Sequence, residues 1–432
     1  MDHLKLNSDR LLEEAYDRSV ALLHEVSSPA GFLASSAFDH YAVVWGRDAA
    51  ITALGALTTD DERLIDTAVN TLRTLSTARS PLGQVAAVAR PEDGNWDFGE
   101  GGAVDVTAWY VVLANAVFQK TSDLSLAQEL WPTVEQAMRW LRYQDVTGTG
   151  LLSCAPATDW MDSSLAKSGR TLQMNTLYYW AAKAARKLAT DLAVTEPLDP
   201  DEIAWRANLL FWPDGDLAVE SLLAGQGTTS LPSPFPHAAT VDAYRDATEV
   251  DRRYYVSHVV HSLFDENCDV LANVLAICVG LADNRKASRI LDALQTEGAS
   301  TPFPSRAWLG PITGDNSPYM RLLGSEKHID RRWHNEPWTY HNGGVWPYIG
   351  GFHVVALVEG DTEQEAEELL LALAQANSMG RNGERWQLHE WLHAKSGEPN
   401  GAAMQAWNAG TFVMAWHALQ DRAHIRSVFL KG

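Results

Sequence analysis

Cysteine is scarce in this sequence. Cys154, Cys268 and Cys278 are three in 432 residues, odd in number, widely spaced and without a CxxC. That excludes a disulfide framework and a cysteine-built zinc site, and it fits packed thiols in a reducing compartment. Positive charge is scarce too: 34 Lys and Arg stand against 55 Asp and Glu, a formal net charge of −21. Phosphate binding needs clustered Lys and Arg, so nucleic acid and anionic membrane are excluded as partners. No uninterrupted apolar run approaches the ~20 residues of a membrane span. The opening MDHLKLNSDRLLEEAYDRSVALL has no basic stretch leading into an apolar one, so no secretory signal is visible. These absences together point to a cytoplasmic protein. Homo-oligomerisation is left open, because only an exposed apolar patch would argue for it.

What the chain does have is a globular composition, 46% apolar and 21% charged, with an unusual wealth of tryptophan. Its 17 Trp outnumber 12 Tyr and 11 Phe. Indole offers a flat apolar face with one polar handle, which suits the C–H faces of sugar rings. Helical periodicity dominates. Residues 8–27 carry Leu11, Ala15, Leu22 and Val26 on one stripe. Residues 267–282 are apolar on nearly every face, and 284–295 that follow are amphipathic. The same inner-then-outer pairing recurs at 343–358 with 362–377, 103–119 with 124–144, and 172–191 with 200–212. About a dozen helices and no convincing alternating strands predict an all-α (α/α)6 toroid, a six-hairpin barrel with long active-site loops. A helical solenoid is the rival, and no short repeat supports it. No composition shift marks a boundary, so residues 1–432 are expected to form a single catalytic domain. The connections near 80–102, 223–262 and 298–342 are too long for tight hairpins and are the expected seats of function. Within the second, 225–242 reads as a surface loop.

Five constellations could carry chemistry. Trp45-Gly46-Arg47-Asp48 precedes a helix expected at Ala49–Leu57, where an acid complements the helix dipole. Asn95 to Glu100, followed by Asp105, clusters Asp97, Glu100 and Asp105 among glycines and aromatics. In Thr158-Asp159-Trp160-Met161-Asp162, two acids flank an indole. A carboxyl desolvated beside Trp favours its protonated form, as a general acid must. Arg332 to Pro347 interleaves Trp333, His334, Asn335, Trp338, His341, Asn342 and Trp346, a mix suited to a polyhydroxylated ligand. Last comes Trp386 to His393, with Gln405-Ala406-Trp407 beyond it. His389-Glu390-x-x-His393 matches the zinc-protease pattern, which requires a helix and a further ligand. Gly383 and Gly397-Glu398-Pro399 bracket a segment too short for such a helix, and no acid lies between Glu398 and Asp421. Glu390 is better read as a lone carboxylate in a separate site.

In this order the motifs resemble the clan of (α/α)6-barrel glycoside hydrolases that holds the neutral/alkaline invertases and the amylo-α-1,6-glucosidase part of glycogen-debranching enzymes. The resemblance runs from about residue 40 to 420. It implies that Arg47-Asp48 holds the sugar of the −1 subsite. Asp97 to Glu100 looks like an invertase loop, and Val104-Asp105-Val106-Thr107 with Trp109 like the helix after it. Trp160-Met161-Asp162 is similar to the debranching Trp-Met-Asp, whose Asp is the general acid. His341-Asn342-Gly343-Gly344 and Trp346-Pro347 look like the element before an inner helix. Glu390 falls at the catalytic base, followed by Gln405-Ala406-Trp407. Around Asp162 the chain departs from the invertase pattern: Ser163-Ser164 stands where a basic pair is usual.

The expected activity is inverting, exo-acting hydrolysis of a terminal α-glucosidic bond in a small carbohydrate, with sucrose first and an α-1,6-glucoside as the alternative. Asp162 would be the acid and Glu390 the base. Trp45, Arg47, Asp48, Asp97, Glu100, Asp105, Trp160, Gln173, His341, Asn342, Trp346, Gln405 and Trp407 would hold the sugar. No metal or cofactor is needed, since a glycosidic oxygen can leave with carboxyl help alone. A non-catalytic sugar-binding protein on the same scaffold is the rival from another class.

Overall fold

A computed structural model describes residues 2–99, 102–162, 167–214, 238–261, 263–313 and 335–430. Glu100, Trp333 and His334, and the part of the expected surface loop before residue 238, lie outside the described residues.

Apolar residues all round a helix require burial all round. The helices with that pattern form the inner layer: α2 (Gly46–Ala56), α4 (Val104–Thr121), α6 (Leu172–Asp191), α9 (Val270–Cys278), α11 (Pro347–Glu359) and α13 (Ala406–Gln420). Each packs on the next in chain order, and α13 packs back on α2, closing the ring. Amphipathic helices lie outside it: α1 (Asp2–Glu25), α3 (Glu62–Thr77), α5 (Leu124–Arg142), α7 (Pro200–Phe211), α10 (Asn284–Thr296) and α12 (Glu363–Ser378). The chain therefore folds as the expected (α/α)6 toroid.

Outer-helix starts follow sequence rules closely. Asp61, Asp123 and Asp283 accept hydrogen bonds from the N–H groups of Leu64, Leu126 and Lys286 at 3.1, 3.0 and 2.8 Å. The tightest inner contact is between α2 and α13, where a Cβ on Gly55 would overlap the Gly410 carbonyl. Only two glycines let these backbones approach so closely. A last helix, α14 (Arg422–Phe429), lies against α13 and α4. Its Phe429 stacks on Trp180 at 4.9 Å and meets Phe352 edge-on at 6.3 Å, while Trp109 packs on Trp180 at 5.6 Å. These rings pack together within the buried core.

Three differences from the sequence reading bear on the site. The first inner helix begins at Gly46, so Arg47 and Asp48 lie in its first turn rather than before it. Residues 238–248, partly inside the expected loop, form a helix, α8 (Ala238–Thr248). Small sheets line the connections. Ser27–Ser28 and Gly31–Phe32 (β1 and β2) pair as a hairpin. The strands Val44–Trp45, Val88–Arg90 and Asn95–Asp97 (β3, β4 and β5) make one antiparallel sheet. Arg170–Thr171, His258–Val260 and Leu263–Asp265 (β6, β7 and β8) make another. A further hairpin pairs Trp391–Leu392 with Pro399–Asn400 (β9 and β10). Strands of two or three residues are too short to leave a period in the sequence.

Candidate active site

The N-terminal ends of the inner helices gather the motifs. Arg47 and Asp48 open α2, Asp105 opens α4, Gln173 opens α6, Asp269 caps α9, Trp346 precedes α11 and Gln405 precedes α13. The residues preceding α2, α4, α11 and α13 make no side-chain cap bond. Exposed N–H groups and the positive dipole end favour acids there, and Asp48 and Asp105 fill two of those first turns.

Arg47 is the electrostatic centre. Its guanidinium forks onto the fully buried Asp105, with Nη2 donating to Oδ1 at 3.2 Å and Nε to Oδ2. Its third nitrogen, Nη1, lies 3.5 Å from Asp162 Oδ2. Burial disfavours the charge of Arg47, but Asp105 and Asp162 more than offset that and hold it protonated above its usual range.

Asp162 sits at the open side, its side chain 46% exposed despite the protein around it. Burial of its surroundings raises its pKa, Arg47 pulls it down, and Asp105 and Asp159 push it up again. Glu390 is pushed up to about 7, chiefly by burial and further by the charge of Asp162, while the Ala402 N–H, 3.0 Å from Oε2, opposes the rise. Asp48 also rises to about 7, through burial and the charges of Glu390 and Asp162, against the pull of Arg47. Asp162, far from Glu390 in the chain, therefore lies within electrostatic reach of it. With three carboxyls and Arg47 already engaged by Asp105, the cluster retains a proton in the neutral range.

Glu390 owes its place to a glycine. Gly401 has φ +70°, and a Cβ there would collide with Glu390 Oε2. Glu390 lies just before the β9–β10 hairpin, not on a helix. His389 Nε2 contacts Gln387 Oε1 at 2.8 Å, whereas His393 Nδ1 accepts from the Lys395 and Ser396 N–H groups, each at 3.2 Å. The two imidazoles thus do not share the helical face that a zinc-protease motif requires.

Aromatic rings wall the cluster. Trp160 meets His341, Trp346 and Tyr348 edge-on at 4.9, 5.1 and 5.6 Å. His341 stacks on Tyr340 at 4.1 Å and Trp407 on Tyr348 at 4.3 Å. Trp45, less buried, packs against His40 and Tyr41. Trp160 Nε1, Trp407 Nε1, Gln173 Nε2 and Gln405 Nε2 are buried without a hydrogen-bond partner among the described residues, four donors suited to hydroxyl oxygens.

Two expected contacts are placed otherwise. Asn342 turns its amide to the main chain: Nδ2 donates to the Ile312 and Asn335 carbonyls, each at 3.0 Å, and Oδ1 accepts from the Ile312 N–H at 2.7 Å. It fastens the loop. Asp97 lies exposed on β5, and its carboxylate accepts the Gly99 N–H at 2.8 Å, turning back on its own loop. Sequence reasoning missed Tyr41 and Tyr340. Burial and the nearby charges of Glu390 and Asp162 raise both hydroxyls, so the two phenols flank the acid pair. Tyr340 lies within the 332–347 run without having been singled out there, and Tyr41 lies outside all five constellations. Sequence reasoning also missed Lys167, buried beside Asp159 and Asp269.

The closed ring of inner helices defines an (α/α)6 barrel, with the motifs gathered at one end of it. The family model for amylo-alpha-1,6-glucosidase matches residues 18–414, and the chain belongs to that family. Among curated relatives, probable alkaline/neutral invertase D of Arabidopsis thaliana is 21% identical over 78% of this chain and 65% of its own length. Cytosolic invertase 1 of Oryza sativa subsp. japonica is 23% identical over 78% of this chain and 61% of its own. The chain thus spans less than two-thirds of the length of either relative. The solved mannosylglycerate hydrolase of Thermus thermophilus has the same fold at TM-score 0.61 and 16% identity, covering 93% of this chain and 100% of that one. A bacterial glucoamylase complexed with acarbose superposes at TM-score 0.58 and 12% identity, over 96% of this chain and 57% of the other. Among the described residues, no helix is long and apolar enough to cross a membrane.

Proposed function

We propose that this chain is an inverting, exo-acting glycosidase acting on a terminal α-glucosidic bond of a small carbohydrate, with Asp162 as general acid and Glu390 as general base. The observation that carries this reading is that Asp162 lies close enough for its charge to raise the proton affinity of the buried Glu390, and that both carboxyls raise the Tyr340 hydroxyl as well. Protonated Asp162 gives its proton to the glycosidic oxygen as the bond from that oxygen to the anomeric carbon breaks. Ionised Glu390 takes a proton from a water that attacks the anomeric carbon from the opposite face. Such a pair stands roughly 6.5–9.5 Å apart in inverting enzymes, leaving room for the water. Arg47 and Asp48 hold ring hydroxyls, and the unpartnered indole and amide donors read others.

Sucrose is the first substrate to test, supported by the relatives named as invertases. An α-1,6-glucoside is the second, supported by the description of the matching family. Asp162→Asn and Glu390→Gln should each lower kcat on the true substrate by about 10²–10⁴-fold with the circular dichroism spectrum unchanged. Proton NMR of the first anomer released from sucrose or isomaltose should show β-glucose. Near-wild-type turnover in either variant overturns the residue assignment, and release of α-glucose overturns inversion. Binding without turnover across a glycoside panel would favour a sugar-binding protein instead.

A further inference from the structure

We propose that the buried network of Lys167, Asp159 and Asp269 is a positioning device for Asp162, fastening both ends of the loop that carries this acid to the inner helices beneath it. The inference rests on Asp162 being the acid. Asp159 and Lys167 lie on either side of Asp162 in the chain, and Lys167 Nζ stands 3.0 Å from Asp159 Oδ2. The same ammonium pairs with Asp269, whose Oδ1 accepts the Ala272 N–H at 3.0 Å and so starts α9. It also donates to Gln173 Oε1 at 3.2 Å, in the first turn of α6. Asp159 Oδ1 accepts the Met161 N–H at 2.9 Å, which fixes the turn directly before Asp162. The Thr158 carbonyl accepts the Asp105 N–H at 3.4 Å, tying the same turn to α4. The loop is thus fixed to three inner helices.

Lys167 and Asp269 are wholly inaccessible and Asp159 nearly so. All three are paired with one another within the protein, unlike the unpartnered indole and amide donors, so they are not assigned to sugar contact. Burying three charged groups costs several kcal/mol per ion before pairing, and apolar side chains of similar volume would often hold a core together better. What an ionic knot adds is a unique geometry, and geometry is what a general acid needs: a misplacement of about 1 Å costs on the order of 10²-fold in rate.

The knot also has a sign. Two carboxylates against one ammonium leave a net negative charge behind Asp162, which favours its protonated form. The other groups facing Asp162 are Arg47 and Asp48 on α2, Asp105 on α4, Glu390 before the hairpin, and the phenols of Tyr41 and Tyr340. Changing one member of the knot leaves all of these in place, so two opposite changes should move the acid in opposite directions.

The test measures kcat, KM and pH profiles of the full chain with Asp159→Asn or Lys167→Met, beside Asp162→Asn. In Asp159→Asn the amide oxygen can still accept the Met161 N–H, and Lys167 keeps Asp269, so this variant retains the fold. Its kcat should fall about tenfold with KM within about threefold, and the alkaline limb should move to lower pH by roughly half a unit to one unit. Lys167→Met should lower kcat by about 10–100-fold and move that limb to higher pH. If Lys167→Met does not fold, Asp159→Asn decides alone. An alkaline limb and kcat unchanged in Asp159→Asn, whatever its melting temperature, overturn the positioning role. An inactive Asp162→Asn beside an unaltered Asp159→Asn overturns the knot only, whereas an active Asp162→Asn overturns the acid assignment beneath it.

Discussion

Glu390 and Asp48 carry the clearest chemical signature at the scale of single residues. Both are carboxyls whose proton affinity is raised to about 7 by burial among like charges. A base must be bare to act, so a base held at about 7 fails as pH drops through that value. The kcat/KM profile should therefore fall along an acid limb centred near pH 7, well above the ordinary carboxylate range. A profile flat down to pH 5 on the true substrate would remove Glu390 from the base role. Asp162 and Glu390, the proposed acid and base, stood out in the sequence because each lies in a short motif rich in Trp. Tyr41, Tyr340 and Lys167 did not. Tyr41 and Lys167 stand outside the motifs, Tyr340 stands inside one whose other residues drew the reading, and only the meeting of distant segments gives the three their neighbours. Asn342 misled for the complementary reason: an amide inside a sugar-like motif can equally serve its own main chain.

Among secondary-structure elements, the helices were readable and the strands were not. Helices such as 284–295 and 362–377 extend over several turns, enough for a 3.6-residue period to show. A capping side chain made some helix starts readable to the residue. Asp283 marks its helix start in the sequence, but Trp45 caps nothing, and α2 accordingly begins three residues before the sequence pattern places it. Close packing of α2 on α13 also left no period, since it depends on two glycines meeting from opposite ends of the chain. Gly410→Val should destabilise the protein by about 2–4 kcal/mol in urea titration, because overpacking here forces backbone against backbone. Gly310, with open space around it, is the matched control: Gly310→Ala should shift stability by less than about 0.5 kcal/mol. Equal effects at the two positions would show that the approach of these helices is not set by Gly410.

For the whole molecule, ring closure is the organising fact. The last inner helix packs on the first, so no segment of the ring can leave without opening it. We propose that the chain is one folding unit and should melt in a single calorimetric transition, with van't Hoff and calorimetric enthalpies that agree. Two resolved transitions would show separate domains. Ring closure also makes the site. The closed ring brings the inner-helix starts together, among them Asp48 of α2 and Asp105 of α4, with Asp162 and Glu390 supplied by the connections.

The sequence alone determined the helical class, the inner and outer layers and the residue types of the chemistry, because burial periodicity and local motifs are written in neighbouring residues. Tertiary structure decided which carboxyls lie within electrostatic reach of one another, which amide is held by its own loop, and which lysine lies between Asp159 and Asp269. Each of these depends on distance and desolvation between residues tens to hundreds of positions apart, and those are set only when the ring closes.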